Sequence, residues 1–239
     1  KDTTMANANL TNAKKAKNDE FYTQLSDIEK EMRHYKDFFK GRVVYCNCDD
    51  ARESNFFKYF SMNFEHLGLK KLITTGYKES GKGVVLIYEG DKNGNRMVED
   101  SEIEIRELAG NGDFRSEECI QFLKESDVVV TNPPFSLFRE YVAQLMEYGK
   151  KFLIIGEQNA LTYKEIFPYV KNNELWWGAS IHSGDRKFYV PDNYPLNAAT
   201  CGVDENGKRF VRVKGIRWWT NIENTTHSTP MDLYKKYSA

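Results

Sequence analysis

The chain has 239 residues, 40% of them hydrophobic, and a formal net charge of -1. That supports one large domain, or a domain with an appended lobe, and it excludes a uniformly basic nucleic-acid binder; such a partner would need a local basic face. Four scattered cysteines exclude a disulfide scaffold and no apolar run could span a bilayer, so a reducing cytoplasm and no membrane partner are expected.

Lys1 to Thr4 precede Met5 and read as a tag remnant, with the natural start at Met5. Residues 1–18 form a small, polar, basic arm carrying Lys14, Lys15 and Lys17. Leu25, Ile28, Met32, Tyr35 and Phe39 then recur at helical spacing, with Thr23 or Ser26 as N-cap and Phe21-Tyr22-Thr23 in the loop before. Gly41 ends that helix, and Val43 to Cys46 reads as a short buried strand.

A polar loop follows, Asn47 to Ser54, and then Phe56, Phe57, Phe60, Phe64 and Leu67 mark a helix face. Cys46-Asn47-Cys48 lacks the second ligand pair that zinc sites show, so no metal is expected there. Lys71 to Thr75 is the next strand. Two β-rich runs around Asn93-Gly94 then predict a hairpin inserted into the alternation. Gly110 to Arg115 is a loop before a short helix at about 116–124.

The stretch 126–141, SDVVVTNPPFSLFREY, carries the sharpest chemistry. Val128-Val129-Val130 is a buried strand that stops at Thr131, because two prolines cannot continue a ladder and the first restricts Asn132 to extended backbone. Asn132 then offers a side-chain carbonyl, Pro133 a main-chain carbonyl and Phe135 an aromatic ring, a set that could grip an exocyclic amino group. An ordinary strand-to-helix turn accounts for the tetrapeptide equally well. A helix over about 137–148, a strand at Phe152 to Ile155 and a helix over about 162–171 complete the alternation.

Alternation of this kind predicts an α/β fold: a doubly wound, Rossmann-like sheet over 19–173 that binds ligands outside the carboxyl ends of its strands. The loops 47–54, 110–115 and 131–135 all fall at such ends. Asp49 and Asp50 suit an ammonium or ribose hydroxyls, or alternatively cap the next helix. Beyond Glu174 short runs at 175–177, 187–190, 198–203 and 209–213, with an Asn206-Gly207 turn, predict a smaller β-rich lobe over 174–239. Its interleaved Arg, Lys and Trp residues serve equally as a DNA-contacting surface or as core and wet face.

The NPPF after an apolar strand resembles the signature of amino-group methyltransferases. Together with KNDEFYTQ at 17–24, VVYCNCDDARESNFFKYF at 43–60 and KKFLIIGEQNALTYKEIF at 150–167, in that order, the chain resembles the EcoRI-type adenine-specific DNA methyltransferases. The resemblance implies S-adenosylmethionine as cofactor and double-stranded DNA as partner, with a flipped adenine methylated at N6, within a restriction-modification system or as an orphan enzyme. It implies catalytic roles for Asn132, Pro133, Pro134 and Phe135. It implies cofactor contacts from Phe21, Tyr22, Thr23, Asn47, Asp49, Asp50, Asp113, Phe114 and Asn132. The usual glycine-rich loop is replaced by NCDDARESN, so the side chain meeting the methionine moiety is left open, as are the ribose-binding acid and the choice of monomer or dimer. Related alternatives are an RNA adenine or protein glutamine methyltransferase, or a non-catalytic nucleic-acid-binding relative.

Overall fold

A computed structural model describes residues 22–51, 53–190, 192, 194, 196, 200–228 and 234–235. The basic arm, the Met5 start and Phe21 lie outside the described residues, as does the side chain of Asp49. Among the described residues no helix is long and apolar enough to cross a membrane.

Strands whose successive side chains are all apolar must be covered on both faces. β1 (Val43–Asp49) and β5 (Val128–Thr131) obey this: Val44, Cys46, Val128 and Val130 enter one core cluster, while Val43, Tyr45 and Val129 enter the other. With β2 (Lys71–Gly76) and β6 (Lys151–Glu157) they make the parallel centre of an eight-stranded sheet, ordered β4-β3-β2-β1-β5-β6-β11-β7. The hairpin of β3 (Val84–Tyr88) and β4 (Ile103–Glu107) adds antiparallel at one edge. Its connection spans residues 89–102 rather than the tight Asn93-Gly94 turn expected, because Asp91 folds the segment onto its own carboxylate.

One face of the sheet carries α1 (Leu25–Met32) and α2 (Asn55–Met62), the latter continued by α3 (Phe64–Leu67). The other carries α4 (Glu117–Glu125) and α5 (Phe138–Glu147). α1 gives way to a 3-10 segment at Arg33–Phe39, where Tyr35 leaves helical geometry, and its N-cap is Gln24 rather than Thr23 or Ser26. The Thr23 carbonyl instead accepts from Asn55 Nδ2 at 2.7 Å. The helix expected over 162–171 is a 3-10 turn, Gln158–Thr162, and a short α6, Phe167–Lys171, with Pro168 in the first turn where its missing N–H costs nothing.

Residues beyond 174 serve two sheets. β8 (Asp185–Tyr189), β9 (Cys201–Val203) and β10 (Arg209–Lys214) form the smaller antiparallel sheet. β7 (Trp176–Trp177) and β11 (Ile216–Thr220), the second unforeseen as a strand, instead complete the large sheet, and α7 (Thr225–Ser228) follows. Trp218 and Trp219 are consecutive, so they point to opposite faces, and each is fully buried in a different cluster. These two indoles are core, not DNA contacts.

Glu31 ties the first helix to this region. Fully buried, its carboxylate accepts from Ala179 N and Ser180 N, each at 2.8 Å, from Ser180 Oγ, and from Tyr35 Oη at 2.8 Å. A buried charge with four donors is satisfied rather than stranded.

Trp218→Ala should destabilise the protein by about 3–5 kcal/mol in urea unfolding. Trp218→Phe should cost clearly less, because it also removes a buried indole N–H that meets no acceptor among the described residues. Equal losses would contradict this view of the core.

Candidate active site

The sheet reverses direction between β1 and β5: the chain runs outward from β1 to β2 on one side, while β5 and β6 lie on the other. A crevice opens outside the carboxyl ends of strands at such a switch point. Two hydrogen bonds close its floor. Thr131 Oγ1 donates to the Asn47 carbonyl, and Tyr141 Oη, from α5, donates to Asn47 Oδ1. Asn47, Thr131 and Tyr141 are all buried, so each polar group depends on the others for its partner. Burial pushes the Tyr141 phenol well above its ordinary pKa, which keeps it a neutral donor.

After Asn47 the chain does not continue straight. Cys48 holds φ 67°, and the β1–β2 register shifts between Cys46 and Asp49. A non-glycine residue in the left-handed region costs about 1–3 kcal/mol and is tolerated where surroundings enforce it, often at functional bends. This bend stands where NCDDARESN replaces the usual glycine-rich loop. Asp50 then organises the turn by accepting from Glu53 N at 3.2 Å, while its main-chain oxygen takes Ser54 N at 2.8 Å. The cap of α2 is Ser54, whose hydroxyl accepts from Phe56 N, so Asp50 is not the helix cap offered as its alternative role.

The 110–115 loop closes the second side. Gly112, at φ 83°, lies so near the Gly76 carbonyl that a Cβ would approach it to 2.3 Å; the loop thus packs directly on the end of β2. The buried Phe114 ring meets Tyr141 edge-on at 5.0 Å, and its carbonyl accepts from Gln144 Nε2 at 3.2 Å. Asp113 is turned toward Arg115, which donates through Nε at 2.9 Å and Nη2 at 2.7 Å. Those bonds hold its carboxyl below the usual range.

The motif 132–135 follows β5 immediately. Asn132 is 6% exposed, and the Leu137 N–H donates to the Pro134 carbonyl at 2.9 Å to start a 3-10 turn, Phe135–Leu137. Phe135 is also buried, its ring 6.5 Å from Phe188 of β8 and edge-on to it. The space among Phe135, Phe138, Glu157, Ala160 and Tyr163 leaves no room for a water molecule. A planar ligand could stack on Phe135 only if these rings parted.

The small sheet brings the N-terminal motif to the same place. Tyr22 exchanges two main-chain hydrogen bonds with Tyr189, at 2.8 and 3.1 Å, and Gln24 Nε2 donates to the Lys187 carbonyl at 2.8 Å. Tyr22 and Thr23 therefore flank the strand whose Phe188 covers Phe135. The fold brings Tyr22, Thr23, Asn47, Asp50, Asp113, Phe114 and Asn132 to the strand-end side of the sheet. Sequence reasoning missed Thr131 and Tyr141, whose spacing of ten residues gives no sign that both reach Asn47.

With this geometry in hand, comparison with known proteins is specific. A family model described as "Adenine-specific methyltransferase EcoRI" matches residues 9–239. The chain is 48% identical over 237 residues to Type II methyltransferase M.EcoRI of Escherichia coli, covering 95% of this chain and 72% of that protein. It is 41% identical over 227 residues to Type II methyltransferase M.MpnI of Mycoplasma pneumoniae, covering 94% of this chain and 68% of that one.

Tyr141→Phe and Thr131→Val should each destabilise the fold by about 1–3 kcal/mol, since each strips a donor from buried Asn47. The double variant should lose less than the sum, because both bonds restrain one residue. Strict additivity in denaturant unfolding would show that the two act independently.

Proposed function

The chain belongs to the EcoRI-type adenine-specific methyltransferase family, and from that premise we propose that it transfers a methyl group from S-adenosylmethionine to N6 of an adenine flipped out of duplex DNA at the 132–135 loop. Type II methyltransferases of this family modify DNA, and the chain is a transferase of that kind. The observation that carries the finer reading is the seat of Asn132 and Pro133, directly past β5 at the switch point and fastened to β1 through Thr131 and Asn47.

The strand-end residues suit the proposed methyl donor by chemistry. Asp50, the Asp113 carboxylate beside Arg115 and the Asn47 amide oxygen beside Tyr141 suit hydroxyls and ammonium as acceptors, and Phe114 gives an apolar edge for a purine. The backbone of Asp49 stands in the same bend, and the resemblance assigns Phe21 to the same pocket. When bound, S-adenosylmethionine supplies an electrophilic methyl group on a sulfonium.

The protein's share is to prepare the nucleophile. An adenine amino nitrogen delocalises its lone pair into the ring. Asn132 Oδ1 and the Pro133 carbonyl accept its two N–H bonds and favour a pyramidal nitrogen, an interaction that strengthens toward the transition state. Pro134 fixes the direction of the turn, and alignment of nitrogen with the methyl supplies much of the remaining acceleration. Phe135 stacks on the base once the Phe135–Phe188 pair opens.

A duplex must also be held. Register in the small sheet puts Asp185, Lys187, Tyr189, Phe210, Arg212 and Lys214 on one face, since Phe210 pairs Tyr189, Arg212 pairs Lys187 and Lys214 pairs Asp185. The opposite face turns Phe188, Val211 and Val213 into the core. Lys187 Nζ lies 4.4 Å from the Phe210 ring centre and the Arg212 guanidinium 5.7 Å from it. This outward face lies on the other side of the sheet from Phe188 and Phe135, and its cations pair with carboxylates, Arg212 with Asp185 at 3.8 Å and Lys187 with Asp204 at 3.7 Å; phosphates would take the place of those carboxylates on duplex binding.

Asn132→Ala should lower methyl transfer to duplex DNA by at least about 10²-fold while labelled S-adenosylmethionine still binds. Normal turnover would sink the assignment of Asn132. Arg212→Ala and Lys187→Ala should each weaken DNA binding and reduce the log-log salt slope by about 1; an unchanged slope in fluorescence anisotropy would move the DNA elsewhere.

A further inference from the structure

The β3–β4 connection has a pattern that methyl transfer does not use. Asp91, Asn93, Asn95, Met97, Glu99 and Glu102 occupy positions 1, 3, 5, 7, 9 and 12 of a twelve-residue segment, DKNGNRMVEDSE. This is the ligand spacing of a calcium-binding loop: oxygen side chains at 1, 3, 5 and 9, a main-chain carbonyl at 7 and a bidentate glutamate at 12. Such loops need a left-handed residue at position 6, normally glycine. Arg96 stands there, with φ 62°.

Hydrogen bonds within the loop fix the position of several of these oxygens. Asp91 Oδ2 accepts from Arg96 N and Oδ1 from Gly94 N, both at 2.6 Å. Asn93 Oδ1 accepts from Asn95 N at 2.9 Å, and Asn95 Oδ1 from Met97 N at 2.8 Å. Asn93 Nδ2 donates to Glu99 Oε2 at 2.7 Å. Each of these oxygens keeps a second lone-pair direction.

Glu102 supplies the independent sign of a ligand. It is only 7% exposed, and its Oε1 accepts from Lys92 N at 2.8 Å, which turns the carboxylate toward the start of the loop. Its Oε2 is buried and meets no donor among the described residues. A buried, unsatisfied carboxylate oxygen is strongly disfavoured unless a cation or donor reaches it.

We propose that residues 91–102 form a binding site for a divalent cation of the calcium class, with Glu102 as its bidentate ligand. No tight group of three His, Cys, Asp or Glu side chains occurs among the described residues; amide and main-chain oxygens complete the set, and calcium accepts such hard neutral donors. Magnesium, which demands a near-ideal octahedron, fits a bidentate carboxylate less well. The site lies after Tyr88 and before Ile103, at the end of the hairpin remote from Val84 and Gly76. It therefore stands at the opposite pole of the sheet from the 132–135 loop and staples the β3–β4 edge rather than taking part in methyl transfer.

The test is calorimetric titration of the chelator-treated full chain with calcium chloride and with magnesium chloride. One calcium per chain is expected, with Kd of about 10⁻⁴–10⁻³ M and magnesium at least about tenfold weaker. Glu102→Gln and Asp91→Asn should each weaken calcium by about tenfold or more, and Arg96→Gly should tighten it several-fold by relieving the left-handed strain. Asp91 lies at the surface, so its variant reads the site even if Glu102→Gln perturbs folding. Absence of calcium heat up to about 10 mM, well above the Kd range of the weakest such sites, would overturn the proposal. So would unchanged affinity in both carboxylate variants.

Discussion

The strand-end geometry depends on one fastening, the Thr131 hydroxyl donating to the Asn47 carbonyl across the gap where β1 and β5 part. Only two Cα pairs, Val44 with Val128 and Tyr45 with Val129, register these strands, so the ladder itself ends well before Asn132. Past that point a side chain must do what main-chain pairing no longer can. Tyr141 adds a second restraint from the helix that the 132–135 turn initiates. The loop proposed to grip the amino group, the bend proposed for the cofactor and the first helix after the loop thus share one buried polar knot. Low local dielectric strengthens such a knot and makes loss of any partner expensive.

The rest of the molecule holds that knot in place. Trp218 and Trp219 weld an antiparallel strand from near the end of the chain onto β6, one indole into each face of the sheet. Glu31 binds the first helix to the segment just before the small sheet. The small sheet in turn covers Phe135 with Phe188 and captures Tyr22. Closure over Phe135 gives the proposed base flipping a physical content: a base stacked on Phe135 would have to replace the Phe188 edge.

Where periodicity was strong and burial two-sided, the fold was legible. Val128 to Val130 and Phe152 to Ile155 are uninterrupted apolar runs, and they became the central parallel strands. Phe56, Phe57 and Phe60 marked a helix because nothing else repeats at that spacing. Local signals misled where a longer-range contact outweighed them. Asn93-Gly94 suggests a two-residue turn, yet Asp91 collects N–H groups from further along and widens the connection. Ile216 to Thr220 has strand composition, but its partner β6 lies some sixty residues earlier, and no local pattern announces that pairing. Of the candidate site, the sharp turn at Asn132 to Phe135 could be read from the prolines and the strand end, while its reading as a site leaned on the loops around it and on the family resemblance. Thr131 and Tyr141 could not, because a buried hydroxyl's role is set by the partner the fold brings to it.

The central claim is that the 132–135 loop presents adenine N6, and not another amino group, to the methyl donor. The most direct measurement is incubation of the protein with duplex DNA and methyl-labelled S-adenosylmethionine, followed by digestion to nucleosides and identification of the labelled species. The account predicts label in N6-methyldeoxyadenosine, with little in any other nucleoside. Label in N4-methyldeoxycytidine, or label confined to RNA or protein offered in the same assay, would contradict it.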